Sequence, residues 1–438
     1  MLKRHAALAI AAASALMLSG CSAGSTERTT VTVRVWDSAV ADAYETSFAA
    51  FERENPDIRV RVDVVEWADY WTKLRTDVAA DTAPDVFWLN NSYLAGYADS
   101  GSVLDVGQTL GKDASKDWAP SVVSQFTRND KLWAVPQLSD AGIAVYYNAD
   151  LLDAAGVKPA ELGEATWSPD ATKDTFLPLA KKLTKDAAGV SADQPGFNPA
   201  APATYGTGLG YDLQAVLLPF IGSNGGKYQD GDDFAFNDPK TSESVSYLVN
   251  AINGAKVAPP AASTNADGDF SRDAFLQGKV AMFQSGLYSL KAVHDGADFR
   301  WGVAELPAGP AGKVSVTNGI AAAGNAATKH PDQVKKVLAW LGSTEGNAPV
   351  GSSGSAVPAV TAAQKQYFDY WKGQDIDVQP FFDVIADDAK TIAPPTGAGY
   401  AKGLAAYDPI FKEIFAGTTP VADGLKKAQE AANAAIND

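Results

Sequence analysis

Cysteine is almost missing from this chain. Cys21 is the only one among 438 residues, so no disulfide framework can form within it. Histidine is nearly as scarce. Of the three, His294 and His330 stand far apart and no His-Glu-x-x-His spacing occurs, which argues against histidine-ligated zinc and leaves little for a Ser-His-Asp triad. No apolar run reaches the ~20 residues that a membrane-spanning helix needs. Basic residues are outnumbered, 36 Lys and Arg against 52 Asp and Glu, for a net charge of −16. Nucleic-acid binding relies on Lys and Arg to neutralise phosphates, so none is expected. Gly-Lys pairs begin at Gly111, Gly226, Gly278 and Gly312, but none is followed by Ser or Thr, and no phosphate-binding loop is present. Gly206-Thr207-Gly208-Leu209-Gly210 lacks dinucleotide spacing and reads as a turn. Asn265, Asp267, Asp269, Ser271 and Asp273 alternate like a calcium loop, yet Phe270 and Leu276 stand where that loop needs Gly and Glu. No metal and no cofactor is expected.

What is present begins at the N-terminus. Lys3 and Arg4 precede an apolar run from Ala6 to Leu18, about 13 residues, too short to span a bilayer but suited to a signal-peptide core. Leu18-Ser19-Gly20-Cys21 resembles a bacterial lipobox. That resemblance implies a lipoprotein signal peptide over 1–20 and a lipid on Cys21, with 21–29 as a flexible tether. Loss of the leader removes Lys3 and Arg4 and no acid, so the remainder is more acidic still. With 46% hydrophobic and 20% charged residues it is globular, and its length favours two domains.

The chain then alternates strand and helix. Val31, Val33 and Val35 share one strand face; Tyr44, Phe48 and Phe51 fall at helical spacing before Asn55-Pro56; Ile58, Val60, Val62 and Val64 form a second strand. A helix through Tyr70–Ala80 leads to a third strand, Asp85–Leu89. This order predicts an α/β fold with a parallel sheet flanked by helices, and ligands at the strands' carboxyl ends. Those ends are Trp36-Asp37-Ser38, Glu66-Trp67 and Asn90-Asn91-Ser92-Tyr93. A second unit starts near Asp140 with the apolar run Ile143–Tyr147. Residues 186–208 read as a surface excursion. Strand-like segments recur at Val280–Ser285 and between Arg300 and Ala323, and a helix at Pro331–Leu341. Aromatic rings and amides at strand ends suit a sugar, whose C–H face packs on rings while its hydroxyls take directional hydrogen bonds.

Several segments, in shared order and spacing, carry a resemblance over most of the chain. They are Phe48-Ala49-Ala50-Phe51-Glu52-Arg53-Glu54-Asn55-Pro56, Ala83-Pro84-Asp85-Val86, Tyr146-Tyr147-Asn148-Ala149-Asp150-Leu151-Leu152, Asn224-Gly225-Gly226, Phe275-Leu276-Gln277-Gly278-Lys279-Val280-Ala281-Met282, and Trp340-Leu341. The chain resembles the family 1 extracellular solute-binding proteins of ABC importers, the group that includes maltose-binding protein. The resemblance implies a type II periplasmic-binding-protein fold: two hinge-joined lobes, each a mainly parallel sheet with helices, closing on a ligand. The first lobe would take 30–140 and 302–343, the second 144–300 and 346–438.

The same resemblance places ligand contacts at Trp36, Asp37, Asn90, Asn91 and Tyr93 on one wall, beside Trp67 at the neighbouring strand end, and at Asp140 by the hinge. On the other wall it points to Tyr211, Asp212, Gln214 and Tyr288, and it adds Asn318 at the return crossing and Tyr400. Where many members have Gly-x-Trp, this chain has Gly286-Leu287-Tyr288, which leaves ring stacking and ligand size open. It implies a monomeric, non-enzymatic carrier outside the cytoplasm, held to the membrane by its lipid alone, that hands an oligosaccharide, sugar or polyol to the permease subunits. Two other readings stand beside it: a polyamine, peptide or phosphodiester binder of the same fold, and a secreted glycoside-active enzyme.

Overall fold

The computed structural model describes residues 28–139, 141–386 and 390–437. Cys21 and Asp140 lie outside the described residues. β1 (Thr29–Val35) buries Val31, Val33 and Val35 completely, as a half-buried alternating strand should. α1 (Ser38–Glu54) follows after two residues because Asp37 caps it, accepting from the Val40 N–H at 2.9 Å. It buries Tyr44, Phe48 and Phe51 and ends at Asn55. β2 (Ile58–Val64), α2 (Trp67–Ala79), β3 (Val86–Asn90) and α3 (Asn91–Asp99) complete the opening run. All five residues of β3 are buried, which marks it as a central strand.

β4 (Val135–Leu138), β5 (Ala144–Asn148), β6 (Met282–Ser285), β7 (Trp301–Ala304) and β8 (Ile320–Gly324) form the rest of the two main sheets. The first has order β2-β1-β3-β8-β4. β1 is parallel to β2 and β3, whereas β8 returns antiparallel between β3 and β4. The second sheet corrects an expectation: β6-β5-β7 is antiparallel throughout, not mainly parallel. Residues 205–208 add a parallel edge, the Gly208 N–H donating to the Met282 carbonyl at 2.8 Å and the Ala281 N–H to that of Tyr205 at 2.8 Å. The Gly206–Gly210 run is therefore extended and buried rather than a turn. A Cβ on Gly206 would lie 2.0 Å from the Ala180 carbonyl oxygen, so glycine here permits close approach.

β5 divides the second core by its alternation. Ile143 and Val145 join a large cluster that continues to Ala432, while Ala144 and Tyr146 join a smaller one with Phe275, Phe283 and Trp371. The first sheet has its own cluster, from Val31 to Leu341 and on to Val350, Val360 and Ala363. α4 (Thr344–Ser352) packs against α1, so the chain stays with the first sheet past residue 346, where the sequence placed the second lobe. α5 (Tyr400–Phe415) and α6 (Val421–Asn437) pair against each other and bury Tyr407, Phe411 and Leu425 in the large cluster.

Two polar devices fix the frame. Arg34, 5% exposed in β1, donates from Nε to Asp63 of β2 at 2.7 Å and from Nη1 to Asp77 of α2 at 2.6 Å. Burial alone would raise the Asp77 carboxyl, but the Arg34 bond and charge, with Lys73, hold it below the usual carboxylate range. Asp186 gathers the loop after it, accepting from the N–H groups of Ala188, Val190 and Asn198 at 2.9, 3.0 and 2.9 Å. These bonds, that of Asn198 first, lower its carboxyl.

Arg34→Met should cost about 3 kcal/mol in chemical denaturation, the low end for breaking a buried pair, because Asp63 and Asp77 keep some water. Asp186 titrates below the unfolded value of about 3.9. Its contribution is therefore complete above about pH 4 and fades as pH falls through the folded value. In Asp186→Ala, the 188–198 amides should have low hydrogen-exchange protection at neutral pH and lack the loss of protection on acidification that is expected of the wild type.

Candidate functional site

The carboxyl end of the first sheet carries a wall of rings. Trp36, just past β1, meets Tyr70 and Trp88 edge-on at 4.9 Å each, Trp67 at 5.3 Å and Trp71 at 5.6 Å. Such geometries are the favoured ones for aromatic pairs. Behind them, the Tyr70 hydroxyl donates to the Trp88 carbonyl at 2.9 Å, the Trp88 indole to the Tyr44 hydroxyl at 3.3 Å, and the Tyr44 hydroxyl to Gln137 at 2.6 Å. The rings nearest the surface are thus braced from within. Trp71 stacks on Tyr93 with centroids 3.6 Å apart and planes 6° from parallel. Tyr93 then meets Tyr400, at the start of α5, edge-on at 5.1 Å, and it packs against both large clusters. The wall therefore runs from one body to the other.

Exposure separates the wall's members. Trp67 is 49% exposed and Tyr288, on the opposite body, 48%. Large apolar rings left open while comparable rings are buried mark a binding surface more readily than a core. Trp36 is only half-buried, but four rings surround it. Tyr400 is buried at 5%. Tyr211 stacks on Phe411 at 5.5 Å, and burial, then the neighbouring Tyr407 and Asp408, pushes its hydroxyl well up.

Three of the expected polar contacts begin helical turns. Asp37 caps α1, Asn90 caps α3 through the Tyr93 N–H at 3.4 Å, and Asp212 caps the π-helical turn Leu213–Leu217 through the Ala215 N–H at 2.7 Å. Asn90 is buried at 5% and serves α3 in this structure. Asn318 accepts from the Asn91 N–H at 3.4 Å, joining the return crossing to the first wall. Gln214 is half-buried and donates its backbone N–H to Asp212.

Burial raises the carboxyls of both Asp37 and Asp212, against the pull of their capping bonds. Glu66 adds to the rise at Asp37 while Arg272, from the second body, opposes it; Asp269 adds to it at Asp212. The Tyr288 hydroxyl is pushed up by its surroundings, next by Asp212, with hydrogen bonds to Ser285 and Gly286 opposing. Tyr288 is half-exposed, with Asp212 near enough for its charge to act on the hydroxyl. Asp37, Arg272, Asp269, Asp212 and Tyr288 thus form one electrostatic neighbourhood that spans both bodies.

The sequence reading missed Trp71 and Arg272. Trp71 follows Trp67 by four residues and so shares its helix face, a signal that was available. Arg272 sits in the helix Phe270–Leu276 and reaches Asp269 and Asp273 at 3.0 Å each, so these acids of the calcium-like run serve an ion pair. Two surface hollows of about 400 and 380 Å³, beside Trp118 and between Pro159 and Lys313, contain none of the wall residues.

Trp36→Ala and Trp67→Ala should behave oppositely. Trp36→Ala removes a ring held by four others and should cost roughly 3 kcal/mol of ligand-free stability, near the low end for a buried aromatic. Trp67→Ala should leave the ligand-free melting temperature almost unchanged; a large loss there would make Trp67 a core residue.

A profile of the bacterial extracellular solute-binding proteins matches residues 37–348, from the Asp37 cap to α4. Among solved structures, UspC of M. tuberculosis is 53% identical, with a TM-score of 0.73 over 93% of this chain and 100% of that one. The ABC substrate-binding protein Lmo0181 of Listeria monocytogenes, solved in complex with cycloalternan, is 22% identical with a TM-score of 0.78 over 94% of this chain and 99% of that one. The maltodextrin-binding protein MdxE of Bacillus subtilis is 24% identical, the match covering 100% of this chain and 97% of MdxE. No helix among the described residues is long and apolar enough to cross a membrane. The two-sheet architecture and the profile match agree, and the chain belongs to the bacterial extracellular solute-binding protein family.

Proposed function

We propose that this protein captures a carbohydrate, an oligosaccharide, sugar or polyol, between its two lobes and delivers it unchanged to the permease subunits of an ABC importer. The observation that carries the reading is the pair of open rings, Trp67 at the start of α2 on the first body and Tyr288 just past β6 on the second, which would face each other across the cleft. Rings of this kind pack on the C–H faces of a sugar, while Asp37, Asn91, Asp212, Gln214 and Asn318 offer partners for hydroxyls. The ligands named for MdxE and Lmo0181, maltodextrin and cycloalternan, support the saccharide class. The hinge would use Asp140 and the crossing at Asn318; because β7 pairs with β5 and Val316 packs in the second body's cluster, the return crossing would lie near 316–320 rather than at the 300–302 read from the sequence. Closure follows because a ligand touching both walls gains its full contacts only in the closed form. The carrier acts as a monomer outside the cytoplasm, and a lipid on Cys21 keeps it beside the importer.

A thermal-shift screen across mono-, di- and oligosaccharides, polyols and polyamines tests the ligand class. A saccharide or polyol at about 100 times its Kd should stabilise the fold by about 2.7 kcal/mol, be recovered intact, and lose that effect in Tyr288→Ala. Stabilisation by polyamines alone would refute the carbohydrate reading. The anchor has its own check: Cys21→Ser should move the protein from the membrane fraction to the medium.

A further inference from the structure

A cleft at the carboxyl end of the first sheet would open by a mouth toward each of that sheet's two faces. α1 connects β1 to β2 and α2 carries the chain back across β1 to β3, and right-handed crossovers in opposite directions place these helices on opposite faces. Trp71 on Tyr93 fixes α3 to the α2 side. On that side the two bodies meet. Tyr400 packs edge-on against Tyr93 at 5.1 Å. One turn further along α3, a Cβ on Gly96 would stand 3.5 Å from the Ala398 carbonyl oxygen. At the start of α1, by contrast, Asp37 caps the helix and feels the charge of Arg272 from the second body.

The segment that meets α3 is rigidly held by the second body. Thr396 and Gln229 exchange hydrogen bonds, the amide of Gln229 donating at 2.7 Å and the Thr396 N–H returning one at 2.8 Å. Gly397 has φ +112°, closed to most side chains, and a Cβ there would meet Asp232 at 3.0 Å. Gly399 lies against Ile436 of α6, with 2.7 Å for an added Cβ. Across the boundary, Arg128 forks onto Asp99 of α3 at 2.7 and 2.6 Å, and the charge of Asp232 also favours its protonated form. Ring packing, backbone contact and charge therefore coincide at one mouth.

We propose that Thr396–Tyr400 is an end stop. It closes the cleft on the α2–α3 face, so the site takes a short saccharide, or one end of a longer one, inserted from the α1 side. A chain that must leave by both mouths is rejected. The ligand class rests on the carbohydrate reading above; the stop itself does not.

Two variants loosen the contact from opposite bodies. Gly96→Leu wedges the segment outward from α3, and Tyr400→Ala removes its ring; Gly96→Ala, whose added carbon makes an ordinary contact, is the control. Hydrogen exchange on ligand-free protein reads the stop directly. Residues 93–99 and 396–403 should both be protected in wild type and Gly96→Ala, and both lose protection in either loosening variant. Unprotected peptides in the wild type, or peptides indifferent to both variants, would overturn the stop. Titration with the best saccharide of the screen, tagged with a bulky fluorophore at one end or the other, reads the consequence. Wild type should bind one tagged form at least tenfold more weakly than the other, and Gly96→Leu should narrow the gap to under threefold. Equal binding of both tagged forms by the wild type would overturn the proposal. If no saccharide binds, the carbohydrate reading fails and hydrogen exchange alone decides the stop.

Discussion

Arg34 keeps a charge inside the first sheet, and through Asp63 and Asp77 it ties β2 and α2 to β1. That tie holds the last turn of α2 against β1, and α2 carries Trp67, Tyr70 and Trp71. Tyr70 reaches back to the Trp88 carbonyl and braces Trp36 from below. An aromatic surface meant to meet a ligand must resist collapsing on itself when no ligand is there. Here the inner rings are bound to one another and to Tyr44 and Gln137, so Trp67 stays open. A preorganised wall of this kind spares the ligand the cost of ordering it.

The acids of the cleft are not free charges. Asp37 and Asp212 each start a helical turn, where backbone N–H groups favour an anion, while burial and nearby acids disfavour it. Opposed influences leave carboxylates that are held in place and still have an oxygen to offer a hydroxyl. Under the proposed function, one such group on each body would give a ligand reason to draw the two together, since neither wall alone would complete its hydrogen bonds.

How much of this could be read from residues alone differs from element to element. The alternation of β1 and β2 and the Tyr44, Phe48, Phe51 face were legible because each faces a single core. The direction of β6-β5-β7 was not, since a run buried on both faces looks alike in parallel and antiparallel sheets. The Gly206–Gly210 run misled because glycine serves turns and close approaches equally; only the Ala180 carbonyl beside it decides. Strand ends pointed to Trp36, Trp67 and Asn91 as candidates, and their relation to Tyr288 and Tyr400 came from the family resemblance. Nothing local marks Arg272, because its influence on Asp37 comes from a segment some 230 residues away. Asn90 ends its strand as the pattern indicated, yet it is buried and caps α3.

The central claim is that one ligand is held by both walls at once. Hydrogen exchange with and without the most stabilising saccharide tests it most directly. The account predicts that binding slows exchange together at Trp36–Ser38 and Glu66–Tyr70 on one body, and at Asp212–Gln214 and Gly286–Ser289 on the other, at a single ligand concentration. Protection confined to one body, with the other exchanging as in the free protein, would contradict it.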